Sequence, residues 1–423
     1  MQECDIEKKL NTLYTWLCST PKITTFRINA SNITTEAACL LIRNLTSQNT
    51  KPFPTLTLKS SIPELIIIHC WDQLVNLDLE KYSKEVIVDA ACGSAVLRGA
   101  HVFAPGVLGI PHGLVIGDRV SVFADIAGQC KKGWIKAYND SNKVFLGNGT
   151  VEQTREHLFA SNVKVVSGIA IRMTDVVSRI PQISDNTCLK GNVLLQNLPS
   201  IICTRILNPQ PGETVLDICA APGNKTTHIS YLMKGEGLII ALEKNKSKIE
   251  QIHKNCQDFA ANNVKVFCYD STKAVSNEHK HSVINGPPFE KESFDRILLD
   301  SPCSALGQRP QLLNRVTKTQ LHSYIPLQRK LFTAAVDLLK PGGILVYSTC
   351  SITVAENEGI VAWALKTFSC LKLKSVKEQF AVNDYGTIGY NIPGLTQEQS
   401  NAVLRFGPES DTIGFFIACF FKS

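Results

Sequence analysis

Two cysteines follow directly on apolar segments that have the character of buried strands. Cys303 lies in "DSPCSALGQRP" after "FDRILL", and Cys350 lies in "YSTCSITVAENE" after "GGILV". A thiolate can add to carbon 6 of a pyrimidine, which makes carbon 5 reactive enough to accept a methyl group. A lone buried cysteine is more often a packing residue. Two cysteines at neighbouring strand ends beside Asp300 favour a reactive pair, and these residues alone do not decide which thiol attacks.

A turn of small residues follows the first strand of the same region, in "LDICAAPGNKTTH". Ala220, Ala221 and Gly223 allow a ligand to approach the backbone closely, and Lys225 opens the next helix. The segment matches neither G-x-G-x-x-G nor G-x-x-x-x-G-K-[ST], so a nucleotide phosphate is not indicated. An adenosine ligand without phosphates is compatible with it.

Acidic residues end the next three strands: Glu243 after "LIIAL", Asp270 after "VFCY" and Asp300 after "RILL". Ligands of open α/β sheets bind beyond the carboxyl ends of the strands. Acids there can accept ribose hydroxyls, hold an adenine amino group and face the reacting centre. Each one alone is more often a loop residue or a helix cap. Together they predict S-adenosylmethionine as the cofactor.

The elements that must position these residues alternate between strand and helix from about Asn192 onward. Continuous apolar strands with intervening helices predict an α/β domain, in which a Rossmann-like, doubly wound parallel sheet is covered on both faces. The last strand, Thr412–Phe421, follows no recognisable crossover helix. We predict that it is antiparallel and lies at the edge of the sheet.

Two further regions precede the α/β domain. The first combines a helical pattern, "EAACLLIRNL", with a strand-like one, "TTFRIN", which predicts a small α+β subdomain. The second has short β-type segments separated by glycine turns, as in "GLVIGDRVSVFAD", which predict a small inserted β-barrel. The predicted domains are residues 1–83, 84–175 and 176–423, the last including a linker.

Composition narrows the class of protein. The 423 residues, 44% apolar and 19% charged, are enough for two or three domains. Fifteen cysteines without a C-x-x-C pair and nine histidines without zinc-ligand spacing predict neither disulfides nor a metal site. No apolar segment approaches the roughly 20 residues that cross a bilayer, and the charged start lacks a secretory signal, so we expect a cytoplasmic, monomeric protein without a membrane partner. The net charge of +7 is compatible with a polyanionic partner but does not require one.

Three motifs resemble those of the Sun-type (NSUN) RNA cytosine-5 methyltransferases: "LDICAAPGNKTTH", "LLDSPCSALGQRP" and "YSTCSITVAENE". "TTFRIN" is similar to the N-terminal RNA-binding subdomain of that family. The resemblance implies that Cys350, in the Thr-Cys motif, attacks the base and that Cys303, in the Pro-Cys motif, helps to release the product. Asp300 and Lys225 would complete the catalytic group. The implied cofactor-binding residues are Cys219, Ala220, Ala221, Pro222, Gly223, Asn224, Lys225, Glu243, Asp270 and Asp300.

Three positions depart from the family pattern. Asn224 replaces a glycine, and we expect its position to need a backbone angle that asparagine tolerates. Glu243 stands where aspartate is commoner, and Ala305 replaces a glycine after the Pro-Cys motif. None of these changes removes a reacting group.

The segment "VLRGAHVFAPGVLG" and those after it resemble a PUA domain, a small RNA-binding barrel. Sun-type proteins with this domain imply methylation of tRNA at position 72, with the acceptor stem and CCA end bound by the barrel. Our RNA-binding candidates are Arg98, Phe103, Lys131 and Lys132, which offer phosphate contacts and a stacking face. A solvated turn and barrel packing are the plainer interpretations of these residues.

Two other functions compete with tRNA methylation. A non-catalytic RNA-binding scaffold would keep the fold without the chemistry, and a methyltransferase could act on another RNA, such as rRNA or mRNA. The intact pair of Cys303 and Cys350 and the strand-end acids argue against the scaffold. The Thr-Cys motif and the PUA-like segment disfavour DNA as the substrate.

Overall fold

Three β-sheets organise the protein in the computed structural model, which describes residues 2–46, 52–138, 141–161, 164–183, 189–276, 282–377 and 385–423. They have four, six and eight strands within these ranges. No helix in the same ranges is both long and apolar enough to cross a membrane.

The first sheet lies in the N-terminal part, where its strands and two helices alternate. In chain order these elements are the helix Gln2–Cys18, β1 (Ile23–Ile28), the helix Thr35–Thr46, β2 (Leu56–Lys59) and β3 (Ile62–His69). β1 pairs antiparallel with β3, and β3 with β2. The fourth strand, at residues 193–195, pairs with β1 although it follows the middle region in the chain. The N-terminal sheet therefore takes up a strand that the sequence assigned to the third domain.

The six strands of the middle region form the second sheet. In chain order the elements are β4 (Glu85–Asp89), the helix Ala90–Leu97, β5 (Val102–Phe103), β6 (Val107–Gly109), β7 (Arg119–Asp125), β8 (Lys143–Val151), the helix Arg155–Phe159 and β9 (Ile169–Val176). The strand order is β5-β9-β8-β7-β4-β6, so β5 and β6 lie at opposite ends.

This second sheet cannot be flat. Five spacings of about 4.8 Å would place its outer strands about 24 Å apart. Only the turn Ala104–Gly106 separates β5 from β6, and four residues span at most about 14 Å. The sheet therefore curls until its two edges approach each other.

The third sheet belongs to the C-terminal part. The strand at residues 193–195, which pairs in the first sheet, is β10 (Val193–Leu195). The elements that follow it are the helix Leu198–Leu207, β11 (Thr214–Asp217), the helix Asn224–Leu232, β12 (Leu238–Glu243), the helix Lys246–Asp258, β13 (Val264–Cys268), β14 (Phe294–Asp300), the helix Lys318–Leu338, β15 (Leu339–Thr349), the helix Glu358–Thr367, β16 (Leu371–Lys374), the helix Gln397–Ala402, β17 (Leu404–Phe406) and β18 (Phe415–Lys422).

Five neighbouring strands of this sheet are parallel, in the order β13-β12-β11-β14-β15. Successive residues enter different cores: Leu298 and Val346 pack on one face, and Leu299 and Tyr347 on the other. A strand buried on both faces has to be apolar at every position. The predicted parallel α/β sheet is confirmed.

The predicted place of the last strand is wrong. β18 is antiparallel, as expected, but it lies between β15 and β16 and also pairs with β17. The outer strand β16 has the sequence "LKLK", and its lysines make it less apolar than the buried strands. β18 is almost entirely buried because it is covered on both sides.

Two buried ionic side chains join the N-terminal sheet to the helix Asn224–Leu232. Arg27 donates to Thr227 Oγ1 at 2.7 Å and to the main-chain oxygen of Asn224 at 3.3 Å. Glu64, with no exposed surface, accepts from His228 Nε2 at 3.0 Å and from Arg205 Nε at 2.7 Å. Burial acts to raise the pKa of Glu64, but the hydrogen bonds from His228 and Arg205 lower it well below its usual range.

Replacing Glu64 by glutamine (Glu64→Gln) should lower the free energy of unfolding by about 3 kcal/mol, because Arg205 and His228 would keep their positions without the anion. Urea unfolding followed by circular dichroism measures the change. The exposed Glu236→Gln serves as the matched control and should stay within about 0.5 kcal/mol of the parent. Equal stabilities of the two variants would contradict the role of Glu64.

Candidate active site

The pairing of β14 with β15 brings the two cysteines together. The strands are parallel, and Asp300 lies opposite Ser348 at their carboxyl ends. Both chains then turn into the loops that carry Cys303 and Cys350. The two sulfur atoms lie 3.4 Å apart, and each residue is partly exposed. The structure therefore places both predicted cysteines in one site.

The surroundings of the two thiols make them unequal. The hydrogen bond between the thiols lowers the pKa of Cys350, as do Gln308 and Lys225, although burial and the nearby Asp300 act in the opposite direction. The same hydrogen bond, together with burial, raises the pKa of Cys303 well above its usual range. Cys350 is therefore the thiol more easily ionised, in agreement with the role that the family resemblance implies for it.

Lys225 and Asp300 form an ion pair beside the sulfurs. Lys225 Nζ lies 2.6 Å from Asp300 Oδ2, and Ser348 Oγ donates to Asp300 Oδ1 at 2.7 Å. Burial alone would favour the neutral amine, but the Asp300 carboxylate outweighs it and raises the pKa of Lys225. The site thus holds a charged ammonium near the Cys350 sulfur, whose thiolate form it favours.

The turn between β11 and the following helix is built for a close backbone approach. Ala220 N–H donates to the main-chain oxygen of Leu242 at 3.0 Å, which holds the turn against β12. Gly223 has φ +100°, and a Cβ there would lie 3.3 Å from Ile252. Only glycine adopts this conformation without strain.

The expectation for Asn224 is wrong. The unusual backbone angle belongs to Gly223, and Asn224 is the first residue of the helix Asn224–Leu232, without a positive φ. Its side-chain oxygen accepts from Asn255 Nδ2 at 3.1 Å. Asparagine therefore costs no left-handed strain here and adds a contact to the neighbouring helix.

Glu243 is the last residue of β12, and Asp270 lies just after β13, as the strand pattern predicted. Glu243 Oε1 accepts from Asn245 N–H at 2.8 Å, and its carboxylate is only partly buried. Asp270 caps a short turn through Thr272 and lies 2.9 Å from Lys244 Nζ. The hydrogen bond from Lys244 lowers the pKa of Asp270 to about 2. Asp270 thus has a structural partner in addition to its predicted ligand role.

This group of residues is compatible with S-adenosylmethionine. Carboxylates at the ends of β12 and β14 and next to β13 suit the hydroxyl and amino groups of an adenosine. Cys219 lines the same turn. Burial raises its pKa well above the usual range, so its thiol stays protonated and does not act as a second nucleophile. Among the described residues, no group of histidine, cysteine and acidic side chains could hold a metal ion.

Ala305 has φ 55°, the left-handed region that glycine prefers. This position lies two residues after Cys303, where the family pattern has glycine. An alanine in this conformation carries about 1 kcal/mol of strain. The departure therefore affects the backbone of the cysteine loop and leaves the reacting groups unchanged.

Two buried acids of the site were missed as functional candidates. Asp217 ends β11, and burial raises its pKa to about 7, with Thr226 Oγ1 donating to it at 2.7 Å. Glu356 has no exposed surface and accepts from Ser304 N–H at 2.8 Å. Both lie inside the quoted motifs, but an acid after a strand or before a helix usually contacts solvent, so their burial could not be recognised from the sequence.

The RNA-binding candidates all lie on the surface of the middle region. Phe103 is 43% exposed in β5, and Arg98 follows the helix Ala90–Leu97. Lys131 and Lys132 are exposed in the loop after β7. The structure shows their exposure, and their contact with RNA stays a prediction.

A direct contact links this region to the segment that follows Cys303. Leu312 packs against the core of the middle region, and a Cβ added to Gly93 would lie 2.9 Å from Leu312 Cδ1. Ala124 would lie still closer to that Cβ, at 2.6 Å. Leu312 therefore occupies a hollow that the absence of a side chain at Gly93 provides.

Comparisons with known proteins find related methyltransferases. A family model described as 16S rRNA methyltransferase RsmB/F matches residues 204–421. Human tRNA (cytosine(72)-C(5))-methyltransferase NSUN6 is 43% identical over 445 residues, which cover 99% of this chain and 92% of the human protein. The tRNA (cytosine(72)-C(5))-methyltransferase of Pyrococcus horikoshii is 30% identical, covering 81% of this chain and 76% of its own. The crystal structure of NSun6 from Pyrococcus horikoshii with SFG has a TM-score of 0.73 and 27% identity, covering 98% of this chain and 94% of that one.

The inequality of the two thiols can be measured. We expect iodoacetamide to modify Cys350 at lower pH than Cys303 between about pH 6 and about pH 9, because the thiolate is the reacting form. Initial rates for each cysteine come from peptide mass spectrometry. The exposed Cys268 reports the activity of the reagent, and Cys203, whose pKa burial raises to about 12, should stay unmodified. Faster modification of Cys303 at low pH would reverse the assignment.

Proposed function

Since this chain belongs to the RsmB/F methyltransferase family, together with the NSUN6 relatives that it matches along nearly all of its length, we propose that it methylates carbon 5 of a cytidine in tRNA with S-adenosylmethionine. The observation that carries this function is the pair of sulfur atoms 3.4 Å apart, beside the ion pair of Lys225 and Asp300. A scaffold protein would have no use for this arrangement.

Cytidine 72 of the acceptor stem is the position that we propose. The relatives named tRNA (cytosine(72)-C(5))-methyltransferase include mouse, human and archaeal proteins, and the human one aligns with 99% of this chain. A human 28S rRNA (cytosine(4447)-C(5))-methyltransferase aligns with only 55% of it. An rRNA (cytosine-C(5))-methyltransferase of Arabidopsis thaliana covers 81% of this chain at 31% identity. The preference for tRNA therefore rests on the higher identity, 41% and 43% along 99% of the chain, to the mouse and human tRNA enzymes.

Each residue of the site has a part in the proposed reaction. The Cys350 thiolate, which the charge of Lys225 favours, forms a bond to carbon 6 of the cytosine. The double bond between carbons 5 and 6 opens, and its electron pair moves to carbon 5, which becomes able to accept a methyl group. Asp300, held by Lys225 and Ser348, faces the base. S-adenosylmethionine, when bound, supplies an electrophilic methyl group for carbon 5.

The last step has to release the product from the protein. The proton on carbon 5 passes to a water molecule acting as base, its electron pair restores the double bond between carbons 5 and 6, and the bond from carbon 6 to Cys350 breaks with sulfur departing as thiolate. Cys303 lies 3.4 Å from that sulfur and is close enough to assist. Glu243 and Asp270 would bind the adenosine part of the cofactor.

The middle region is proposed as a PUA-like, RNA-binding barrel for the acceptor stem and CCA end. Its curled sheet and the exposed Arg98, Phe103, Lys131 and Lys132 support this proposal. Lysine and arginine side chains contact phosphates, and an exposed aromatic ring stacks on an unpaired base.

Substitution of each cysteine tests the reaction. Cys350→Ala should lower methyl transfer to tRNA by at least about 1,000-fold and abolish the covalent protein–tRNA complex, because the nucleophile is lost. Cys303→Ala should accumulate that complex, because release is impaired. Labelled methyl transfer and denaturing gel electrophoresis measure the two effects.

Cys39→Ala is the control for these cysteine variants because Cys39 lies in the N-terminal helix Thr35–Thr46, outside the site. It should behave as the parent protein. Trapping of tRNA by Cys350→Ala instead of Cys303→Ala would exchange the two roles. Full activity of both variants would contradict the proposed function.

The barrel lysines can be tested by salt dependence. Lys131→Ala with Lys132→Ala should weaken tRNA binding and reduce the slope of log affinity against log salt by up to about 2, because two phosphate contacts would be lost. Filter binding at several salt concentrations measures the slope. The exposed pair Lys366→Ala with Lys372→Ala is the control. An unchanged slope in the barrel variant would exclude these lysines from the RNA contact.

A further inference from the structure

The loop that carries Cys303 has few ties to the rest of the site. Before it, Ser301 N–H donates to the main-chain oxygen of Ser348 at 2.9 Å. After it, Gly307 N–H donates to the main-chain oxygen of Cys350 at 2.9 Å. Between these two hydrogen bonds lies Cys303 itself, and a contact between two thiols is a weak restraint. The position of its sulfur must therefore depend on the side chains that hold its neighbours.

Glu356 holds the residue after Cys303. Its Oε1 accepts from Ser304 N–H at 2.8 Å, and its Oε2 accepts from Ser304 Oγ at 2.6 Å. Two hydrogen bonds from one residue, one of them from the main chain, fix both the place and the orientation of the loop. Glu356 has no exposed surface, so water does not compete for these contacts.

The same carboxylate also holds the loop of the other cysteine. Its Oε2 accepts from Ser351 Oγ at 2.6 Å and from Thr353 Oγ1 at 2.8 Å. Ser351 follows Cys350 directly, as Ser304 follows Cys303. The two serine hydroxyls lie 3.0 Å apart and share one acceptor. One buried carboxylate thus joins the residues that follow both cysteines.

Gln328 completes this arrangement from the helix Lys318–Leu338. Its side-chain nitrogen donates to the main-chain oxygen of Pro302 at 3.0 Å and to Glu356 Oε1 at 3.3 Å. Cys303 is therefore held on both sides, through Pro302 and through Ser304. No ion pair joins Glu356 to a basic side chain in the ranges that the structure describes. The hydrogen-bond donors around Glu356 are uncharged, and its carboxylate can only accept hydrogen bonds.

We propose that Glu356 is a positioning residue that sets the place of the Cys303 sulfur relative to Cys350 and thereby controls product release. The inference rests on the proposed function, because it assumes that Cys303 assists release. Cys350 keeps the pairing of β15 and the hydrogen bond from Gly307 when Glu356 is changed. Ser304, the residue after Cys303, would lose both of its hydrogen bonds to Glu356, whereas Ser351, the residue after Cys350, keeps the bond from Asn357 to its main-chain oxygen. The displacement of Cys303 should therefore exceed that of Cys350.

Glu356→Gln tests the proposal because it keeps the shape of the side chain and replaces one acceptor by a donor. We expect kcat for tRNA methylation to fall by about 100-fold, the size of effect that a misplacement of about 1 Å can cause. The covalent protein–tRNA complex should accumulate, as in Cys303→Ala. The pH at which iodoacetamide modifies Cys350 should rise, because Cys303 would no longer donate to it.

Glu358→Gln is the matched control. Glu358 is equally buried and lies two residues away, but it pairs with Arg405 and has no contact with Ser304. It should lower stability without accumulating the covalent complex. Ser304→Ala is the milder variant and removes one donor to Glu356. Its effect should have the same direction and should not be additive with that of Glu356→Gln.

Three results would overturn the inference. They are a kcat of Glu356→Gln within twofold of the parent, a loss of activity without the covalent complex, and the same behaviour in Glu358→Gln. If Glu356→Gln does not fold, Ser304→Ala decides, and its failure to accumulate the complex would also overturn it. Absence of methylation by the parent protein would instead contradict the proposed function itself.

Discussion

The parallel pairing of β14 with β15 is the constraint on which the site depends. It aligns Asp300 with Ser348, and it releases two loops at the same edge of the sheet, so that the sulfurs of Cys303 and Cys350 meet at 3.4 Å. Neither loop could supply this distance by itself. The apolar side chains on both faces of the strands fix their register, because a slip of one residue would move each set into the wrong core. The packing of Leu298 and Leu299 is therefore a condition for the chemistry several residues away.

The sequence was sufficient to predict the parallel strands and the proximity of the two cysteines. Apolar segments alternating with helices predict which ends of the strands share an edge, and Asp300, Cys303 and Cys350 all follow such segments. The sequence did not predict that β18 lies inside the sheet, because the short and lysine-containing β16 resembled a loop. It also placed the unusual backbone angle at Asn224 instead of Gly223. Pattern reasoning identifies elements well, but strand order and local angles depend on contacts between distant residues.

Buried polar groups account for the other part that sequence could not supply. Glu356, Glu64 and Arg27 would each be assigned to a solvated surface by residue type. In the structure each one finds partners from a different segment: Glu356 joins the cysteine loops, whereas Glu64 and Arg27 join the N-terminal sheet to the helix after Gly223. Such partners are separated by up to two hundred positions along the chain, as for Arg27 and Thr227. Local patterns carry no information about contacts of this range.

The contact between Gly93 and Leu312 has a consequence for how this architecture can be recombined. Gly93 is required within the middle region because Ala124 leaves no space for a Cβ, and the leucine that fills the remaining hollow comes from the segment after Cys303. Exchanging the middle region alone between homologues would leave either an empty hollow or an apolar side chain without a packing partner. A functional chimera has to carry both partners across together.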